Sequence, residues 1–211
     1  MNRCSILCVF LILMALPATA QPSLTLDDVR TAYRALDGLQ ANFTQVVGSE
    51  FADDSTRIEG SVTLAGDQYR VETPGQVVVT NGSTTWIYTP ADSQVIVDDA
   101  DTEDGPITPE TFLEGSADDY EVTERERDAE DDASYVVLSL SATSEEARFQ
   151  RASLWVRRSD RVVTRLRAVD RDGATFTLNL QDIQKNPSIT DTTFSFDPPA
   201  NTEVVDLRTG D

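Results

Sequence analysis

The stretch VVVTNGSTTWIYTPADSQVIV, Val77 to Val97, decides how this chain folds. It reads as three short strands. Asn81-Gly82 is a strong hairpin signal, because a two-residue primed turn needs positive φ at its centre. Closing that turn sets Val79 opposite Thr84 and Val77 opposite Trp86. The next turn, Pro90 to Ser93, sets Tyr88 opposite Val95 and Trp86 opposite Val97. Paired residues share a face, and faces alternate along each strand. Val77, Val79, Trp86, Tyr88, Val95 and Val97 therefore form one apolar face. Val78, Thr80, Thr85, Ile87, Thr89, Gln94 and Ile96 form a more mixed one. A face built from so many large side chains has to be covered.

The surrounding chain is acidic. Its 37 Asp and Glu outnumber 17 Lys and Arg, for a formal charge of −20, and Lys185 is the single lysine. Such a surface repels nucleic acid and anionic headgroups. Its composition also resembles that of proteins adapted to high salt. There is no histidine, which removes the commonest general base and metal ligand. Cys4 and Cys8 lie in an apolar N-terminal run that follows Arg3 and ends at Ala18-Thr19-Ala20. Residues 1–20 read as a cleaved signal peptide, and 21–211 as one domain without thiols or disulfides.

Along the mature chain, LTLDDVRTAYRALDGLQANFTQVV predicts a long N-terminal helix capped by Thr25 and Asp28. Its apolar stripe comprises Leu26, Val29, Tyr33, Leu36, Phe43 and Val47, with a kink at Gly38. A polar loop over 48–56 follows, then alternating strands at 58–66 and 68–73. After the opening stretch, Thr108, Pro109 and Gly115 bound a very short helix carrying Phe112 and Leu113. Strands are expected at 120–123, 134–141, 149–157, 161–169 and 174–183, with a last short one at Phe194 and Phe196. The total is about ten or eleven strands, in an antiparallel meander that is curved or closed. Pattern alone favours a filled core over a cavity.

No motif supplies chemistry. The acidic run Asp98 to Gly105 fails the calcium-loop template. Arg157, Arg158, Arg161, Arg165 and Arg167 cluster without a glycine-rich loop beside them, and read as balancing nearby acids. No carboxylate pair stands out, so no catalytic residue, metal site or cofactor is assigned and the chain reads as a non-enzyme.

Four segments together resemble the LolA family of outer-membrane lipoprotein carriers. They are the Phe-Thr-Gln of LQANFTQVV, the opening stretch with its Asn-Gly and Tyr-x-Pro, ITPETFL, and FTLNLQDIQKNPSITDTTFSFDPPANTEVVD. The resemblance implies a mainly β fold: an incomplete, strongly curved antiparallel barrel with helices as a lid over an apolar cavity. It implies a monomeric periplasmic carrier of acylated lipoproteins, loaded by an inner-membrane ABC exporter and unloaded to an outer-membrane, LolB-like acceptor. A lipid- or lipoprotein-sensing module on the same fold is the alternative. By position, the cavity candidates are Phe43, Tyr69, Val71, Val77, Val79, Trp86, Tyr88, Val95, Val97, Phe112 and Leu113. Many members carry Arg-Pro after the second strand, where the arginine latches the lid. This chain has Ala65-Gly66 there.

Overall fold

The computed structural model describes residues 24–100, 106–113, 120–126, 135–145, 147–190 and 192–208. The expected signal peptide and most of the acidic run lie outside them. Helix α1 spans Leu26–Arg34 and α2 spans Glu110–Leu113. Twelve strands follow chain order: β1 Leu39–Ser49, β2 Ala52–Ala65, β3 Gln68–Glu72, β4 Val77–Thr80, β5 Thr84–Thr89, β6 Gln94–Asp99, β7 Tyr120–Glu126, β8 Tyr135–Ala142, β9 Phe149–Arg157, β10 Val163–Asp170, β11 Ala174–Lys185 and β12 Glu203–Asp206. They make one sheet in the order β12-β6-β5-β4-β3-β2-β1-β11-β10-β9-β8-β7. Two meanders, β2 to β6 and β7 to β11, are joined through β1. Every pairing is antiparallel except β12 on β6. The sheet stays open, as an incomplete curved barrel. Register shifts, such as the one between Gln40 and Asn42 against β11, bend it.

The N-terminal helix is shorter than its pattern suggests. The Thr25–Asp28 capping box forms, but the helix stops at Arg34. Beyond Gly38, Leu39, Ala41 and Phe43 are buried while Gln40 and Asn42 are exposed, which is strand periodicity. Phe43 and Val47 satisfied the helical spacing by coincidence. A Cβ on Gly38 would lie 2.7 Å from both Ile189 Cδ1 and the Leu64 carbonyl, so this glycine permits a close approach rather than a kink. The supposed loop at 48–56 belongs mostly to the β1–β2 hairpin, whose exposed tip carries Phe51.

The Asn81 hairpin is shifted by two residues from the expected register. Val79 pairs with Trp86 and Val77 with Tyr88. Asn81 Oδ1 accepts hydrogen bonds from the Ser83 and Thr84 amides, leaving Gly82, at φ +89°, and Ser83 as the turn centre. A shift of two preserves the faces. The β5–β6 pairs Trp86–Val97 and Tyr88–Val95 are as expected.

One continuous inward face holds the main core. Leu138, Leu154, Leu166, Phe149 and Leu178 on β8 to β11 pack with Leu26, Val29 and Tyr33 of α1 and with Phe112 and Leu113 of α2. The Tyr33 hydroxyl accepts from the Val163 amide, and the Tyr120 hydroxyl from the Phe149 amide, each at 3.1 Å, so both buried phenols are satisfied. Phe194 and Phe196 form no strand; the chain turns at 192–194. The last strand is β12 instead. It is short and largely exposed, without an alternating pattern to announce it.

Candidate apolar binding site

Among the described residues, α1 and α2 cover only part of the inward face. Across β1 to β6 the same face borders a hollow of about 1130 Å³. The register explains its walls. Val62 pairs with Val71, Val71 with Val78, Val78 with Ile87, and Tyr69 with Thr80, which pairs with Thr85. Phe43, Ile58, Tyr69, Val71, Val78 and Ile87 supply the apolar lining. Gln45, Gln76, Asp98 and Asp99 supply polar edges, and the turn Thr73 to Gln76 closes one side. Gly60 faces Phe43 across the β1–β2 ladder, and a Cβ there would lie 2.9 Å from the Phe43 ring. That missing side chain lets the ring lie over the strand. Tyr69 hydrogen-bonds the Thr85 side chain, and its half-buried position pushes the phenol above its ordinary pKa. The site thus presents an apolar floor edged by polar and charged side chains, Arg57, Glu59, Asp98 and Asp99 among them, and its phenol stays neutral.

The eleven sequence candidates separate into three places. Phe43, Tyr69 and Val71 border the hollow. Phe112 and Leu113 are fully buried in the neighbouring core, where Phe112 packs at 5.2 Å from Tyr120 and 5.4 Å from Phe149 between ring centroids. Val77, Val79, Trp86, Tyr88, Val95 and Val97 lie on the outward face, which corrects their place among the cavity candidates. Pairing decides this, because Val79 lies opposite Arg70 and Val77 opposite Glu72, whereas Tyr69 and Val71 point the other way.

What covers that outward face is the C-terminal segment. Val79, Val95, Val97 and Phe194 are buried but stand outside the main core. Tyr88 packs against Phe196 with centroids 5.6 Å apart. Arg70 donates to the Thr193 and Ser195 carbonyls, each at 3.5 Å, and pairs with Glu72 at 2.7 Å. β12 then ties the segment to β6. Val78, Thr85, Ile87 and Ile58 were missed as lining residues. Pro74-Gly75 was the available signal, since closing a turn there sets Val71 opposite Val78.

The departure at Ala65-Gly66 has a local cause. Gly66 sits at φ +58° in the β2–β3 turn. Proline, locked near −65°, cannot adopt it. Arg70 does not substitute for the missing arginine, because it serves the outward face.

A family model described as outer membrane lipoprotein carrier protein LolA matches residues 34–197. The chain belongs to the LolA family. It is 28% identical to an outer-membrane lipoprotein carrier protein of Legionella pneumophila (strain Lens), over 97% of this chain and 99% of that one. Its fold is similar to that of an uncharacterized conserved protein from Thermus thermophilus, with a TM-score of 0.55 at 16% identity over 86% of this chain and 96% of the other. A LolA superfamily protein from Nitrosomonas europaea aligns over 82% of this chain and 99% of its own at 16% identity, with a TM-score of 0.46. Members of the LolA family are carriers rather than enzymes, and membership gives this chain a lipoprotein-binding role.

Proposed function

We propose that this LolA-family protein carries lipoproteins by sheltering their acyl chains in the hollow between β1 and β6. The observation that carries the reading is the inward face that no described helix fills, lined by Phe43, Ile58, Tyr69, Val71, Val78 and Ile87. A soluble carrier must hide acyl chains from water. Each methylene removed is worth roughly 0.8 kcal/mol, so one long chain offsets a considerable ordering cost.

Family membership supports a wider route for the cargo. Residues 1–20 act as a signal peptide that delivers the chain to the periplasm. An inner-membrane ABC exporter loads it, and an outer-membrane acceptor, LolB-like in character, receives the cargo. With a glycine at 66, release is not governed by a latch from the β2–β3 turn.

The test is mass spectrometry of lipophilic material that co-purifies with the protein when it is expressed with its own leader. A lipoprotein or its acylated anchor should be found with wild type and lost in Ile87→Glu. A folded protein with nothing bound, and no uptake of added acylated peptide, would overturn the reading.

A further inference from the structure

The outward side of β9 to β11 carries a feature that the acyl hollow does not use. Arg165 pairs across the sheet with Trp155 and Asn179, and Arg167 with Ser153 and Thr177, so all six share the face opposite Leu154, Leu166 and Leu178. Both arginines are exposed. The Arg165 guanidinium stacks on the Trp155 ring at 4.5 Å from its centroid. Two flanking arginines on the same face are already neutralised: Arg57 by Glu59 and Arg151 by Glu50. Among the described residues, Arg165 and Arg167 form no ion pair. Their neighbours across the ladders are uncharged. In a chain with 37 acidic against 17 basic residues, two adjacent arginines with no carboxylate are a local exception.

Stacking fixes the guanidinium plane and leaves its N–H edge free to meet a carboxylate in a bidentate contact. Arg and Trp are also the residues most enriched where interfaces hold their binding energy. Positions two apart on a strand lie about 7 Å from each other, which is the repeat of alternate side chains on an extended peptide.

We propose that Arg165, Arg167 and Trp155 form a docking surface for an extended acidic segment of a partner protein, with carboxylates at alternate positions. Charge complementarity selects this occupant. An anionic bilayer would have to approach a molecule of charge −20 over a wide area, and would be repelled beyond the small patch. A short acidic segment meets chiefly the patch, because exposed charges more than about 10 Å away are largely screened at 0.1 M salt. The surface lies on the opposite side of the sheet from the hollow's apolar lining, so it stands or falls independently of cargo.

The experiment titrates the purified full chain with a blocked hexapeptide alternating threonine and glutamate, using calorimetry and tryptophan emission. The glutamine version of the peptide and phosphatidylglycerol vesicles are run in parallel. Saturable binding of the glutamate peptide alone, weakened at least about tenfold in Arg165→Gln/Arg167→Gln, is the expected result. Arg167→Gln by itself, which disturbs no ring contact, should weaken it less but in the same direction. Absence of peptide binding, equal binding by the folded double variant, or vesicle binding that depends on the two arginines would each overturn the proposal.

Discussion

At the residue scale, single positions show how local geometry sets the site. Gly60 is the clearest. A Cβ there would lie 2.2 Å from the Glu72 carbonyl as well as against Phe43. Gly60→Ala should therefore destabilise the fold by about 1–3 kcal/mol, read as a lower midpoint in urea unfolding. Asp160 is a second case. Its carboxylate accepts from Arg157 Nε and an Arg157 terminal nitrogen, both at 2.9 Å, and pairs with Lys185 at 3.3 Å. The Arg157 bonds, chiefly, hold its pKa below the ordinary value. Asp160→Asn removes the charge that ties the β9–β10 turn to the end of β11, and should cost about 1–2 kcal/mol at neutral pH. That difference should shrink in acid. A carboxylate with a depressed folded pKa stabilises above its unfolded value near 4, and the contribution is lost as pH falls through the folded value. Asp28, lowered mainly by its Thr25 hydrogen bond, and Asp206, held at about 2 by Arg208, act in the same direction. Acid unfolding followed by circular dichroism should thus steepen below about pH 4, and the gap between wild type and Asp160→Asn should narrow there.

At the scale of elements, the C-terminal segment performs a task that its composition does not advertise. Phe194 is buried against the outward face and Phe196 meets Tyr88. Phe194→Ala should cost about 3–5 kcal/mol, comparable with a main-core truncation, and its thermal midpoint should fall accordingly. This segment also explains what was legible in the sequence. The strands of the opening stretch and their faces could be read from alternation, because a register error of two leaves every face unchanged. Which face turns inward could not be read there. It depends on β3 pairing with β4 at Pro74-Gly75, and on a covering segment without strand or helix periodicity. The same limit applies to Phe43. Its spacing fits the preceding helix and the strand equally well, and the close approach at Gly38 decides between them through tertiary contacts with Leu64 and Ile189. The short, exposed β12 had no pattern to find; it pairs because Arg70 and Phe194 bring the segment beside β6.

At the scale of the whole molecule, the described helices pack in one core with β7 to β11 and with Leu39, Ala41, Val62 and Leu64 of β1 and β2, while other residues of β1 to β6 border the hollow, so the sequence alternatives of filled core and cavity both occur on one inward face. The charge of −20 acts on the entire structure. Self-repulsion should make the fold more stable as salt is raised from low to molar concentration, with a rising thermal midpoint as the check. Whether acyl chains enter the hollow is decided by one titration: a fluorescent diacylated cysteinyl peptide added to wild type, to Ile87→Glu and to Val204→Glu. Val204 is 51% exposed on β12 and is not among the residues lining the hollow. Stoichiometric binding by wild type and Val204→Glu, with loss in a folded Ile87→Glu, is the predicted result. Equal binding by all three would contradict it and place the acyl chains elsewhere.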